Sequence, residues 1–156
     1  DIDIIQDMVK SPVARIDAQG APVLSSEIDI ANARITFTNG CVANVTASRI
    51  SFKTERKTRI FQPKSYISID YQNKKFAILA KGGGQLFPGI PNITQNETKF
   101  EKSDALLAEI KAFLKAIENN SRPLVTGADG ANALATAAMI TDQINNNLSA
   151  RYAEYA

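Results

Sequence analysis

The stretch Ala33 to Ser51, ARITFTNGCVANVTASRIS, restricts the possible folds of this chain more than any other. Ile35 and Phe37 alternate with Arg34, Thr36 and Thr38, the period of a half-buried strand. Asn39-Gly40 then supplies the positive φ angles of a tight turn. The alternation resumes beyond it, with Cys41, Ala43, Val45 and Ala47 on one face and Val42, Asn44, Thr46 and Ser48 on the other. A hairpin with one apolar face must bury that face against another layer.

The rest of the chain offers both strands and helices for that purpose. VARIDAQG, RKTRIFQP, SYISIDYQ and KKFAILAK each read as strands. Lys81 to Thr98, KGGGQLFPGIPNITQNET, holds four Gly and two Pro and is expected to be a loop. From Ser103 the period turns helical. Leu106, Leu107, Ile110, Phe113, Leu114 and Ile117 form one apolar stripe, with Ser103 as the expected cap. ENNSRP interrupts it, and a last helix runs from about Ala128 to Leu148, with Leu134, Ala138 and Ile144 as its buried positions. At the other end, Ile2, Ile5 and Val9 make the stripe of a short helix that Pro12 terminates. This order predicts an α+β domain spanning residues 1–156, with an antiparallel-dominated open sheet and helices packed on one face.

Composition removes several function classes. A net charge of +2 is too small to indicate nucleic acid or membrane as a partner. Cys41, the lone cysteine, cannot form an internal disulfide, which fits a cytoplasmic location. The sequence contains no His, so no Ser/His/Asp triad and no His-ligated metal can be built from it.

Four segments could bind something. SRISFKTERKTRIFQPK gathers Arg49, Lys53, Arg56, Lys57, Arg59 and Lys64 against Glu55 alone, which suits an anion or, equally, a solvated strand edge or oligomer contact. KGGGQ lacks the spacing of a phosphate loop and is not followed by a helix. In TGADGANAL, Thr126 or Asp129 can cap a helix. Asp1, Asp3 and Asp7 fall where a helix dipole favours carboxylates, so no metal is expected there. None of these assembles a catalytic set.

Taken in order, four strings resemble the C-terminal domain of the Gfo/Idh/MocA oxidoreductases. DIDIIQDMVKSPVARIDAQG is similar to that family's helix and first strand, and IDIANARITFTNGCVANVTASRIS to its hairpin. SDALLAEIKAFLKAIENNSRPLVTGADGANALATAAMI resembles its closing pair of helices. ERKTRIFQPKSYISIDY is similar to the branch that oxidises nucleotide sugars, in particular the 3-hydroxyl of a UDP-N-acetylglucosamine-type sugar.

The resemblance implies an N-terminal Rossmann domain outside this chain that carries NAD or NADP, and a catalytic His immediately before Asp1. No catalytic, cofactor-binding or metal residue is then expected within the chain, no cofactor is expected bound to it, and alone it should be inactive. Asp1 and Asp3 become the substrate-proximal positions. The family's open sheet face implies homo-oligomer contact, for which the row Asn44, Thr46, Ser48 and the row Arg56, Arg59, Gln62 are the candidates. The alternatives are a cyclitol or simple-sugar dehydrogenase of the same family, or a non-catalytic anion-binding or assembly module.

Overall fold

The computed structural model describes residues 1–88, 90–101 and 103–153. In chain order the elements are α1 (Ile2–Val9), β1 (Val13–Ala21), β2 (Ile30–Phe37), β3 (Val42–Ser48), β4 (Lys57–Gln62), β5 (Ser65–Asp70), β6 (Lys75–Phe87), β7 (Ile90–Lys99), α2 (Ala105–Glu118) and α3 (Gly127–Ala153). The class is α+β and every strand pairing is antiparallel. The strands form two sheets, of order β1-β2-β3 and β4-β5-β6-β7, where one sheet was expected. They lie in two compact units, Asp1–Phe52 with Ala112–Ala156, and Lys53–Lys111.

In the first unit the hairpin has the register its alternation predicts: Asn32 opposite Thr46, Arg34 opposite Asn44 and Ile35 opposite Ala43. Its connection is one residue longer than a two-residue turn. Only Gly40 takes a positive φ, 85°, and the Phe37 N–H bonds to the Cys41 carbonyl at 2.9 Å. Ala18, Ala33, Ile35 and Phe37 build the sheet side of the core, and Ile140 and Ile144 of α3 close it. Ile2, Ile5 and Val9 of α1 pack at its margin.

Helix α3 does more than cover the sheet. Gln143 Oε1 accepts the Ala18 N–H at 2.6 Å, and Asn147 Nδ2 donates to the Ala18 carbonyl at 3.0 Å. These two amides, one turn apart, satisfy backbone groups on β1 that β2 does not reach, as a further strand would. So close an approach requires Gly20. A Cβ there would sit 2.8 Å from Ile144 Cγ2 and 2.9 Å from the Ile30 carbonyl oxygen.

Of the three positions expected to be buried on α3, Ile144 is, in an i, i+4 row with Thr136 and Ile140, whereas Leu134 is 71% exposed and Ala138 is exposed. The helix is rich in Ala, so apolar residues occur all round it and periodicity does not single out one face. Its start is a reciprocal capping box: Asp129 accepts the Thr126 N–H at 2.7 Å, and the Thr126 hydroxyl accepts the Asp129 N–H at 3.3 Å. Both residues proposed as caps therefore act together. Thr126→Ala is expected to cost about 1 kcal/mol, read as a lower urea midpoint with an unchanged m-value. An unchanged midpoint would contradict this role.

The second unit is a four-stranded meander. Pro63 and Lys64 (φ 69°) turn β4 into β5, the pattern of a type II turn. Beyond it, the expected loop from Lys81 to Thr98 is a long hairpin. β6 runs on through Gly82–Gly84 to Phe87, and β7 returns from Ile90, with register shifts between Lys81 and Gln85 and again before Phe87. The glycines provide an irregularity inside a strand, Gly84 with φ 77°, instead of ending it. Gly89, which belongs to the same run, lies outside the described residues.

Helix α2 is capped by Asp104, whose carboxylate accepts the Leu107 N–H at 3.0 Å, and not by Ser103. All six residues of its apolar stripe remain between 47% and 66% exposed. Among the described residues no helix is long and apolar enough to cross a membrane.

Candidate functional site

The start of α1 holds the two carboxylates nearest the beginning of the chain. Asp1 is exposed at the N-cap, where its carbonyl accepts the Ile5 N–H at 3.0 Å and its side chain makes no capping bond. Asp3 is half-buried in the first turn. The helix that carries them is held in place from behind: Gln6 Nε2 donates to the buried Thr136 hydroxyl of α3 at 2.8 Å. Both carboxylates thus sit on a fixed element. Among the described residues no group of three or more His, Cys, Asp or Glu could hold a metal ion.

Asn44, Thr46 and Ser48 lie exposed on alternate positions of β3, on the face opposite Ala43 and Val45, which pack against the core. The row is tied to β2. Thr46 Oγ1 donates to Asn32 Oδ1 at 2.8 Å and Arg34 Nη1 to Asn44 Oδ1 at 3.4 Å, while Ser48 Oγ accepts the Ile50 N–H at 3.3 Å.

Arg56, Arg59 and Gln62 do not make a second row. Arg56 precedes β4 and stacks its guanidinium 4.9 Å from the Tyr71 ring centre. Arg59 and Gln62 are three residues apart on one strand, so alternation puts them on opposite faces. Arg59 shares its face with the Phe61–Tyr66 ring pair, and Gln62 Nε2 donates to Ser65 Oγ at 2.8 Å on the other.

The basic segment is also less free than its charge count suggests. Lys53 and Lys57 both pair with Glu55, and Lys57 lies 3.5 Å from Asp70. The Lys57 hydrogen bond lowers the Glu55 pKa, and Glu55 in turn raises that of Lys57. Arg49 is committed to Asp29 at 2.6 Å.

Asp29 is the polar centre that sequence reading missed. It is 4% exposed. Its Oδ2 accepts the N–H groups of Val23, Leu24 and Ser25 at 2.8, 2.7 and 3.0 Å, and its Oδ1 takes Arg49 Nε and the Ser25 hydroxyl. The backbone N–H groups of Val23 and Leu24, then Arg49, hold its pKa well below the ordinary carboxylate range. No local pattern in SSEIDIA separates Asp29 from Glu27; only the folded loop brings the donors together.

The chain is 34% identical over 152 residues to the UDP-N-acetylglucosamine 3-dehydrogenase of Acidithiobacillus ferrooxidans, an alignment covering 90% of this chain and 48% of that protein. A solved structure of that enzyme superposes on 92% of the chain with a TM-score of 0.84 at 32% identity, and the match covers 45% of the solved chain. The match bears out the chain's resemblance to the Gfo/Idh/MocA oxidoreductases. The chain spans about half the length of the curated relative it matches, which fits a single domain of a longer protein.

Other solved structures show the same fold at lower identity. The aldose-aldose oxidoreductase of Caulobacter crescentus, solved with glycerol, gives a TM-score of 0.73 at 18% identity, covering 94% of this chain and 43% of that one. Levoglucosan dehydrogenase, solved with NADH and L-sorbose, gives 0.72 at 19%, covering 93% and 46%. No protein-family model matches the chain.

A Rossmann fold cradles a dinucleotide with a glycine-rich turn that opens directly onto a helix N-terminus. Gly82–Gly84 are not such a turn, because they lie within β6.

Proposed function

We propose that this chain is the substrate-side and assembly domain of an NAD(P)-dependent dehydrogenase that oxidises a secondary alcohol of a nucleotide sugar to a ketone, with the 3-hydroxyl of UDP-N-acetylglucosamine as the preferred position. The observation that carries the reading is the 34% identity, sustained over 152 residues, to an enzyme of that name. Structures below 25% identity support the fold and nothing narrower.

Oxidation of an alcohol to a ketone removes a hydride from carbon and a proton from oxygen. The hydride acceptor and the base belong to the preceding Rossmann half in this reading. What the chain contributes is position. Asp3, half-buried on a helix fixed through Gln6 and Thr136, is suited to accept a hydrogen bond from a sugar hydroxyl or to orient the preceding base, and Asp1 stands beside it. The exposed face of the β1–β3 sheet, with Asn44, Thr46 and Ser48, and the Arg59 face of β4–β5, with Phe61 and Tyr66, serve homo-oligomer contact. Gln62 points away from that second face and does not share in it. The setting is cytoplasmic, where exposed Cys41 stays reduced.

The test uses the two-domain protein of this reading with NAD and, separately, UDP-N-acetylglucosamine, myo-inositol and glucose, followed by NADH fluorescence. A signal with the UDP-sugar alone supports the reading. A signal only with inositol or glucose moves the protein to another substrate class of the same family, and silence throughout removes the dehydrogenase reading. In the active protein Asp3→Asn is expected to lower kcat/KM roughly 10–100-fold, the worth of one hydrogen bond to a charged group. Unaltered kinetics would take Asp3 out of the site.

A further inference from the structure

Thr136 is 3% exposed and shares the buried row of α3 with two isoleucines, Ile140 and Ile144. Its hydroxyl accepts Gln6 Nε2 at 2.8 Å, across 130 residues of sequence. The other end of that amide, Gln6 Oε1, is shielded from solvent and has no hydrogen-bond partner among the described residues. Turning the amide over would exchange its two ends and leave one unpaired just the same. A half-satisfied buried amide costs stability, and two apolar side chains of the same shape would fill this place without that cost. Stability therefore does not account for the pair. What it supplies is direction. No residue of α1 is fully buried, and the contacts of Ile2, Ile5 and Val9 at the margin of the core are non-directional, so by themselves they let the helix slide or turn. A hydrogen bond fixes a distance and an angle. The far end of α1 is held separately, by the Ser11 and Thr38 hydroxyls at 2.9 Å and by Asn39 Nδ2 on the Val9 carbonyl at 3.4 Å.

We infer that Gln6 and Thr136 are positioning residues: their bond sets the rotation and height of α1 on α3, and with them the place of the Asp3 carboxylate, at a cost in stability. Asp3 precedes Gln6 by three residues on α1, so the two side chains are neighbours on one helix surface. A shift of the helix by about 1 Å carries the Asp3 carboxylate with it, and an error of that size costs a large factor in a step that depends on orientation. The inference rests on the proposed reading of Asp3 as the residue that meets the sugar hydroxyl or the base.

The test replaces both partners by apolar side chains of similar shape, Gln6→Met with Thr136→Val. In the 156-residue chain this double variant is expected to keep the parent's thermal midpoint or raise it by up to about 4 °C, whereas either single variant, which orphans the other partner, lowers it. In the same double variant the amides of Ile5 and Lys10, bonded to the Asp1 and Gln6 carbonyls, are expected to exchange with solvent about tenfold faster. A lower midpoint in the double variant, or unchanged exchange in α1, would make the pair ordinary packing and overturn the inference. In the two-domain protein, with the substrate that responds in the panel, the double variant is expected to lower kcat/KM about tenfold. Thr136→Ser, which keeps the hydroxyl, stays within about twofold of the parent. Adding Asp3→Asn to the double variant lowers kcat/KM no further than Asp3→Asn alone, because the pair acts through Asp3. Independent, multiplying losses would overturn that route. Silence of the panel removes the dehydrogenase reading and the part of Asp3 with it, whereas midpoints and exchange, read without substrate, decide the hold on α1 separately.

Discussion

Replacing Ile144 by alanine is expected to destabilise the first unit by about 3 kcal/mol and to lower the thermal midpoint by roughly 6–12 °C. Ile144 is 1% exposed and belongs to the cluster with Ala18, Ala33, Ile35, Phe37 and Ile140. Its Cγ2 fills the space above Gly20, against the backbone of β1 and β2. A cavity there closes only in part, because its sheet side is the backbone of Gly20 and Ile30, which cannot move in to fill it. The loss also loosens the helix whose Gln143 and Asn147 satisfy the β1 edge, which adds to the transfer and cavity costs. The control is Leu134→Ala on the same helix, 71% exposed, expected within about 0.5 kcal/mol of the parent. Equal losses at the two positions would mean that α3 packs on a different face.

The second large effect concerns Asp29. Asp29→Asn is expected to lower the thermal midpoint at pH 7 by on the order of 5 °C, because an amide nitrogen cannot accept from the Val23, Leu24 and Ser25 N–H groups and offers Arg49 no charge. The pH dependence follows from the direction of the shift. The folded carboxyl has a depressed pKa, so its stabilisation is complete above the unfolded value of about 4. Below that pH the unfolded chain binds the proton first, and the stabilisation declines steadily as the solution becomes more acid. The gap between parent and Asp29→Asn should therefore be widest at neutral pH and narrow below about pH 4. A gap that is constant with pH would show that the carboxylate charge is not what holds the loop.

Both positions show where local sequence is informative. The hairpin alternation at Ile35 and Phe37 assigned the inward face correctly, since side chains on a strand have no other two directions to take. The stripe Ile2, Ile5, Val9 likewise identified the packed side of α1. On α3 the same reasoning selected Ile144, which is buried, together with Leu134 and Ala138, which are not, because an alanine-rich helix leaves the choice of face to the surface it meets. Gly82–Gly84 read as a loop because glycine weakens a strand, yet pairing with β7 on either side of them, at Lys81 and at Gln85, carries β6 through.

The candidate site divides in the same way. Asn44, Thr46 and Ser48 share a face because of their spacing, which the sequence states outright. Arg56, Arg59 and Gln62 look alike in composition and separate once the boundary and parity of β4 are known. Segment order, the alternating hairpin and the helical stripes determined the α+β class and pointed to the Gfo/Idh/MocA family, because period and turn chemistry act between residues close in the chain. Tertiary structure alone decided which face of α3 is buried and that Asp29 collects five hydrogen-bond donors. Each of those depends on groups far apart in sequence, whose meeting is set by packing and not by any local preference.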